Sequence, residues 1–186
     1  PQDSFVVRVT DNHGGYADQQ VTLQVTGTND GPAIDPNSPA LTGDVTEDQI
    51  GATTAQGTIA SGDPDINDNL AWSIDGYIGQ SVGSYGTLTL DQNGHWTYTL
   101  DHDKADRLAE GATVVDSFVV NITVAAGERS SATVQVQVHG TNDGPHIGGT
   151  SSGEVTEDIA TRISGKLLPG DVDSGDTASW AVVGDP

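Results

Sequence analysis

The residues of this sequence whose types and spacing could do chemistry are carboxylates. In Gly62-Asp63-Pro64-Asp65-Ile66-Asn67-Asp68-Asn69, Asp63 and Asp65 stand two apart, and the pattern returns as Gly170-Asp171-Val172-Asp173 at a shift of 108 residues. Spacing of two directs both carboxylates toward one point. Gly27-Thr28-Asn29-Asp30-Gly31-Pro32 is written again, letter for letter, at residues 140–145. Carboxylates, an Asn and backbone carbonyls together are the donor set of a hard cation, and calcium takes about six to eight oxygens at about 2.3–2.6 Å. Carboxylates that converge without a cation repel one another. The plainer reading, solvated acidic turns, also fits these letters, because Asn-Asp-Gly-Pro is turn chemistry by itself.

Other chemistries fit less well. Asp63-x-Asp65-x-Asn67 opens like an EF-hand loop, but Asp68 stands at the sixth position in place of Gly and Ile74 at the twelfth in place of Glu. Gly79-Gln80-Ser81-Val82-Gly83 and Gly149-Thr150-Ser151-Ser152-Gly153 match a bare nucleophile-elbow pattern. Neither follows a buried strand or opens a helix, as an elbow requires. His13, His95, His102, His139 and His146 show no metal-helix spacing. Asn121-Ile122-Thr123 spells a glycosylation sequon within an expected strand, and no phosphate loop is found. With no Cys there is no disulfide framework, thiol nucleophile or zinc–thiolate site. The expectation is a protein that is not an enzyme.

The charge balance agrees with cations as partners. Against 6 bases stand 27 acids, for a formal net charge of -21, which argues against nucleic acid and against an anionic membrane surface. Of those acids 22 are Asp and 5 are Glu, so the acid is placed in loops and not in helices. No apolar run approaches the length of a membrane span or signal peptide, so no membrane insertion is expected. The chain starts at Pro1 and reads as an internal fragment of a longer protein.

The elements that must position the acids are repeated too. Asp3-Ser4-Phe5-Val6-Val7 returns as Asp116-Ser117-Phe118-Val119-Val120, and Val21 to Pro32 as Val134 to Pro145, both at a shift of 113. Asp44 to Asp48 returns as Glu154 to Asp158 at 110, and Trp72 as Trp180 at 108. The chain therefore divides into the C-terminal part of a first repeat (1–30), one complete repeat (31–143) and the N-terminal part of a third (144–186). Within the complete repeat the hydrophobic period is two. Leu88 and Leu90, an Asp91-Gln92-Asn93-Gly94 turn, then Trp96, Tyr98 and Leu100 predict a β-hairpin. Phe118 to Val124 and Val134 to Val138 predict two more strands, and Thr54–Ala60 and Leu70–Ile74 two shorter ones. Only Asp103 to Leu108 reads as helical, with Asp101 or Asp103 as N-cap. About seven strands with turn signals every 8–12 residues predict an all-β, antiparallel β-sandwich. Trp72, Trp96, Tyr98 and Phe118 should anchor its core.

Val45-Thr46-Glu47-Asp48, Gly62-Asp63-Pro64-Asp65, the run from Tyr85 to Tyr98, Asp116-Ser117-Phe118 and Gly-Thr-Asn-Asp-Gly-Pro, in this order, resemble the VCBS repeat over essentially the whole chain. The resemblance implies tandem Ig-like/cadherin-like domains of large secreted bacterial adhesins, often of the RTX type, outside the cell or on its surface. It also implies ligand roles for calcium. Asn29-Asp30 and Asn142-Asp143 resemble the Asn-Asp of a cadherin linker; Asp63 with Asp65, and Asp171 with Asp173, resemble the Asp-x-Asp of the following domain. Glu47 resembles the acid at the base of the first strand, and Glu110 the acid just before the Phe118 strand. Gly27 and Gly140 stand where cadherins carry a further Asp, and Val124 where the first repeat has Asp11, so fewer ions per linker are expected.

Two functions follow as expectations. One is a calcium-stiffened stalk segment, with the neighbouring repeats of the same chain as partners, that extends a distal binding domain in adhesion or biofilm formation. The other is a calcium-dependent module that binds extracellular polysaccharide or another copy of the adhesin, for which Tyr16 and Tyr77 are the aromatics left over from strand interiors.

Overall fold

The computed structural model describes residues 1–65, 68–159 and 162–184; Ile66 and Asn67 of the first acidic loop lie outside the described residues. The chain divides into two compact units, residues 1–30 and 31–186.

The first unit is a hairpin of β1 (Gln2–Thr10) and β2 (Tyr16–Gln24), with Phe5 opposite Val21. The second unit contains, in order, β3 (Ala33–Ile34), β4 (Thr42–Thr46), β5 (Thr54–Thr58), β6 (Ser61–Gly62), β7 (Ala71–Ile74), β8 (Gln80–Val82), β9 (Gly86–Leu90) and β10 (His95–Leu100). A one-turn helix α1 (His102–Ala105) follows, then β11 (Thr113–Thr123), β12 (Arg129–His139), β13 (His146–Gly149) and β14 (Leu167–Gly170). Two four-stranded sheets, β5-β10-β9-β8 and β4-β12-β11-β7, form the all-β sandwich expected from the period-two patterning. β3 pairs with β6, and β13 with β14.

The alternation works as predicted. In β9 and β10, Leu88, Leu90, Trp96, Tyr98 and Leu100 all face inward, and Leu88 lies opposite Tyr98. Their turn is closed by Gly94 at φ 77°, while the Asp91 carboxylate accepts the amides of Asn93 at 2.8 Å and His95 at 3.0 Å. From the other sheet Trp72, Phe118, Val120, Ile122, Val134, Val136 and Val138 complete the core. Phe118 opposite Val134 is the same pairing that Phe5 and Val21 make in the first unit.

Two details differ from expectation. The sandwich is not antiparallel throughout: β4 runs parallel to β12, from Thr42 beside Gln135 to Thr46 beside His139. No local signal encodes that pairing, because its partners are more than ninety residues apart. The helix is shorter than 103–108 and starts one residue earlier. Asp101 is its N-cap by position but makes no side-chain cap bond; its carboxylate instead pairs with Lys104 at 3.2 Å. Among the described residues no helix is long and apolar enough to cross a membrane.

Candidate metal centre

The acids around the second Asn-Asp are assembled by three short elements. Strand β4 ends at Thr46, and Glu47 continues it by donating its amide to the carbonyl of His139, the last residue of β12, at 3.1 Å. Glu47 has the inward parity of Val45 and is fully buried. Its Oε1 accepts the Thr141 amide at 2.9 Å, so the acid holds the chain where it leaves β12. The linker then runs to β13, which pairs with β14, His146 opposite Gly170. That pairing delivers Asp171 and Asp173 back to the linker: Asp173 Oδ2 accepts the Asp143 amide at 2.8 Å, and Asp171 Oδ1 accepts the Asp173 amide at 3.1 Å. A backbone bond from Ser174 to the Arg107 carbonyl, 3.2 Å, ties the same loop to the segment after α1.

Among the described residues, Glu47 Oε2, Asp143 Oδ2 and Asp173 Oδ1 are buried and have no hydrogen-bond partner. Burial pushes the Glu47 carboxyl above its ordinary value against the lowering effect of the Thr141 amide, and the charges of Asp143, Asp48 and Asp106 push it further. Burial likewise raises Asp143, followed by Asp48, Asp173 and Asp106. A buried carboxylate oxygen without a donor is costly unless a cation meets it. The donor set is all oxygen, which suits calcium and excludes a thiolate-type site. All-oxygen chemistry at these three acids suits a hard cation, and the carboxylates that the fold brings within 4.8 Å of one another are Asp171, Asp173 and Asp176.

Of the expected residues, the fold brings together Glu47, Asn142, Asp143, Asp171 and Asp173. The Asn142 side-chain amide donates to the Asp143 carbonyl at 2.7 Å, and Asn29 does the same to Asp30 at 2.9 Å. Asn29 and Asp30 end the first unit, whereas Asp63 and Asp65 belong to the second. Within the second unit, β3 opposite β6 (Ala33 to Gly62) presents Asp63 and Asp65 as β13 opposite β14 presents Asp171 and Asp173. Glu110 is exposed, and the acid of its segment that acts on Glu47 and Asp143 is Asp106.

Sequence reasoning left out four acids. Asp68 joins Asp63 and Asp65, and Asp176 joins Asp171 and Asp173, each trio offering carboxylate oxygens within 4.8 Å of one another. Their signal was present, since Asp68 and Asp176 are related by the same shift of 108 as the pairs they join. Asp48 stands within the repeated Val-Thr-Glu-Asp. Asp106 had no signal: the chain contains no second copy of the α1 segment to compare it with. Gly140, where a further Asp was missed, sits with its amide on the Ala112 carbonyl at 2.9 Å. A Cβ there would collide with the backbone carbonyls of Leu108 and Ala109, so the turn before β11 leaves no room for a side chain.

The profile of the bacterial cadherin-like domain matches residues 29–140, more than half of the chain. The chain belongs to this family. Solved cadherin structures share the fold of this cadherin-like chain. PcdhgB3 EC1-4 superposes with a TM-score of 0.57 at 17% identity, over 94% of this chain and 41% of that one. Protocadherin Gamma B7 extracellular cadherin domains 1-4 gives 0.52 at 21% identity, over 94% and 41%. Human CDH23 EC21-23 gives 0.53 at 18% identity, over 94% and 55%. The cadherin-like chain thus spans roughly half or less of the chains it resembles. No curated protein matches it.

Proposed function

We propose that this cadherin-like protein is a non-catalytic, calcium-binding structural repeat of a secreted bacterial adhesin of the VCBS and RTX type. Calcium stiffens its inter-repeat linkers, and the stalk extends distal binding domains from the cell surface in adhesion and biofilm formation. Family membership supports the structural adhesion module. The observation that carries the reading is the set of three buried, donorless oxygens, one each from the body of the complete repeat (Glu47), the linker (Asp143) and the following repeat (Asp173). Calcium would neutralise their mutual repulsion. The chain itself does the positioning: the Thr141 amide orients Glu47, and the Asp143 amide orients Asp173. The same role is proposed for Asp63 and Asp65, which with Asp68 form a carboxylate trio within the second unit.

The test follows hydrodynamic radius and melting temperature with calcium and with chelator. A calcium-dependent rise in Tm with a more uniform, extended particle is expected, and no change in either would contradict the proposal. A second reading, a calcium-dependent carbohydrate- or self-binding module, is favoured by Tyr77, 66% exposed, beside Ile78, 81% exposed. Calcium-dependent binding on a glycan array that is lost in Tyr77→Ala would establish it.

A further inference from the structure

The two acidic loops agree in a glycine and three carboxylates and in nothing else. Gly62-Asp63-Pro64-Asp65-Ile66-Asn67-Asp68-Asn69 and Gly170-Asp171-Val172-Asp173-Ser174-Gly175-Asp176-Thr177 share the leading Gly and the acids spaced n, n+2 and n+5, and differ at the other four positions. A loop that only had to turn would repeat its turn formers, yet Pro64, Asn67 and Asn69 are exchanged for Val172, Gly175 and Thr177. The acid at n+5, Asp68 or Asp176, is kept together with the Asp-x-Asp.

In space the three acids meet. One carboxylate oxygen from each of Asp171, Asp173 and Asp176 lies within 4.8 Å of the others, as do those of Asp63, Asp65 and Asp68. Two oxygens that each stand about 2.3–2.6 Å from one calcium are at most about 5 Å apart, so this is the separation of ligands that share an ion. Proximity alone would also fit a solvated acidic turn, and Asp176 is exposed. Asp173 decides between the two. It is only 5% exposed; its Oδ2 is taken by the Asp143 amide, and among the described residues its Oδ1 has no hydrogen-bond partner. A carboxylate oxygen removed from water without a donor is costly unless a cation meets it. In the other loop Asp63 Oδ2 and Asp68 Oδ2 are likewise buried and without a partner among the described residues, so there the acid at n+5 itself turns an oxygen inward. Asp143, Asp171 and Asp176 line one cavity of about 350 Å³, which has room for an ion with waters completing its shell.

We infer that Asp176 is a ligand of the calcium held by Asp171 and Asp173, the third carboxylate of a loop spaced n, n+2 and n+5, and that Asp68 has the same part beside Asp63 and Asp65. The inference rests on the calcium reading of the Asp143 linker and adds an acid that the resemblance does not assign. Three carboxylates of one short loop then carry the ion, and the linker meets them through the Asp143 amide on Asp173.

The experiment uses the full 186-residue chain and calcium alone. Calorimetric titration, and melting temperature in chelator, are compared for the wild type, Asp173→Asn, Asp176→Asn and Asp103→Asn. Asp173→Asn marks which class of bound calcium belongs to this loop. Asp176→Asn should weaken the same class about tenfold or more, in line with the dependence of affinity on ligand charge. Its calcium-free Tm should be unchanged or higher, because one of three crowded carboxylates is gone. Asp103→Asn removes the same unit of charge from an exposed residue that lines a neighbouring cavity with Asp171, and should change affinity about threefold or less, as a screened charge outside the ligand set does. If Asp176 only shapes the turn, Asp176→Asn lowers the calcium-free Tm and keeps wild-type affinity while Asp173→Asn loses it, which overturns the inference and leaves the linker site standing. Equal weakening by Asp176→Asn and Asp103→Asn overturns it in the same way. A wild type that does not bind calcium overturns both.

Discussion

At the scale of single residues, the charges at the linker set the sign of the pH response. Glu47 and Asp143 are raised above their ordinary values of 4.5 and 3.8 in the folded protein. A raised carboxylate binds more protons folded than unfolded, so it costs stability at neutral pH and the cost disappears as pH falls through the raised value. Without calcium, Tm should therefore climb on acidification from pH 7 toward about 5, the reverse of ordinary acid denaturation. Asp91, held low by the amides of Asn93 and His95, and Asp18, held low by Arg8, act in the opposite sense, but only below the ordinary Asp value of 3.8. Scanning fluorimetry in chelator at both pH values checks this, and Glu47→Gln should flatten the climb. With calcium the trend should invert, because protons compete for the same oxygens. Gly140 sets a second limit at this scale. Gly140→Asp, which restores the acid found in cadherin linkers, should destabilise by about 1–3 kcal/mol through its collision with Leu108 and Ala109, as measured by urea unfolding, without gaining a site for calcium.

Elements explain how the residues are held and how much of this could be read beforehand. Asp116, on β11, is buried and accepts the Ser84 amide at 2.9 Å, the Tyr85 amide at 2.9 Å and the Tyr98 hydroxyl at 2.7 Å. It ties the two sheets together through one side chain, and burial followed by this bond pushes the Tyr98 hydroxyl up, so Tyr98 remains the donor. Asp116→Ala leaves three donors without a partner and should cost about 3 kcal/mol or more in urea unfolding. The hairpin of β9 and β10 and the faces of β11 and β12 were legible because alternation is a local signal: Trp96, Tyr98, Phe118 and Val134 declare their faces within a few residues. The pairing of β4 with β12 was not, since it is a contact between segments far apart in the chain. The helix near residue 103 was legible as helix only approximately, because one turn leaves little periodicity to read.

For the whole molecule, repetition carried most of the information. Asp171 and Asp173 could be matched to Asp143 because the hexapeptide and the Asp-x-Asp each occur twice in the same order, and the Asp173–Asp143 bond joins the second copies. Asp106, whose charge helps to raise Glu47 and Asp143, carried no signal in the sequence, since no second copy of its segment is present. With a net charge of -21 the chain repels itself, and the acids around Asp143 and Asp173 concentrate that repulsion. The central claim is that one hard cation joins oxygens from both sides of the linker. Diffraction from crystals grown with calcium tests it most directly. The account predicts a density peak at about 2.3–2.6 Å from Glu47 Oε2, Asp143 Oδ2 and Asp173 Oδ1 together. Water or empty space between those three oxygens at saturating calcium would contradict it.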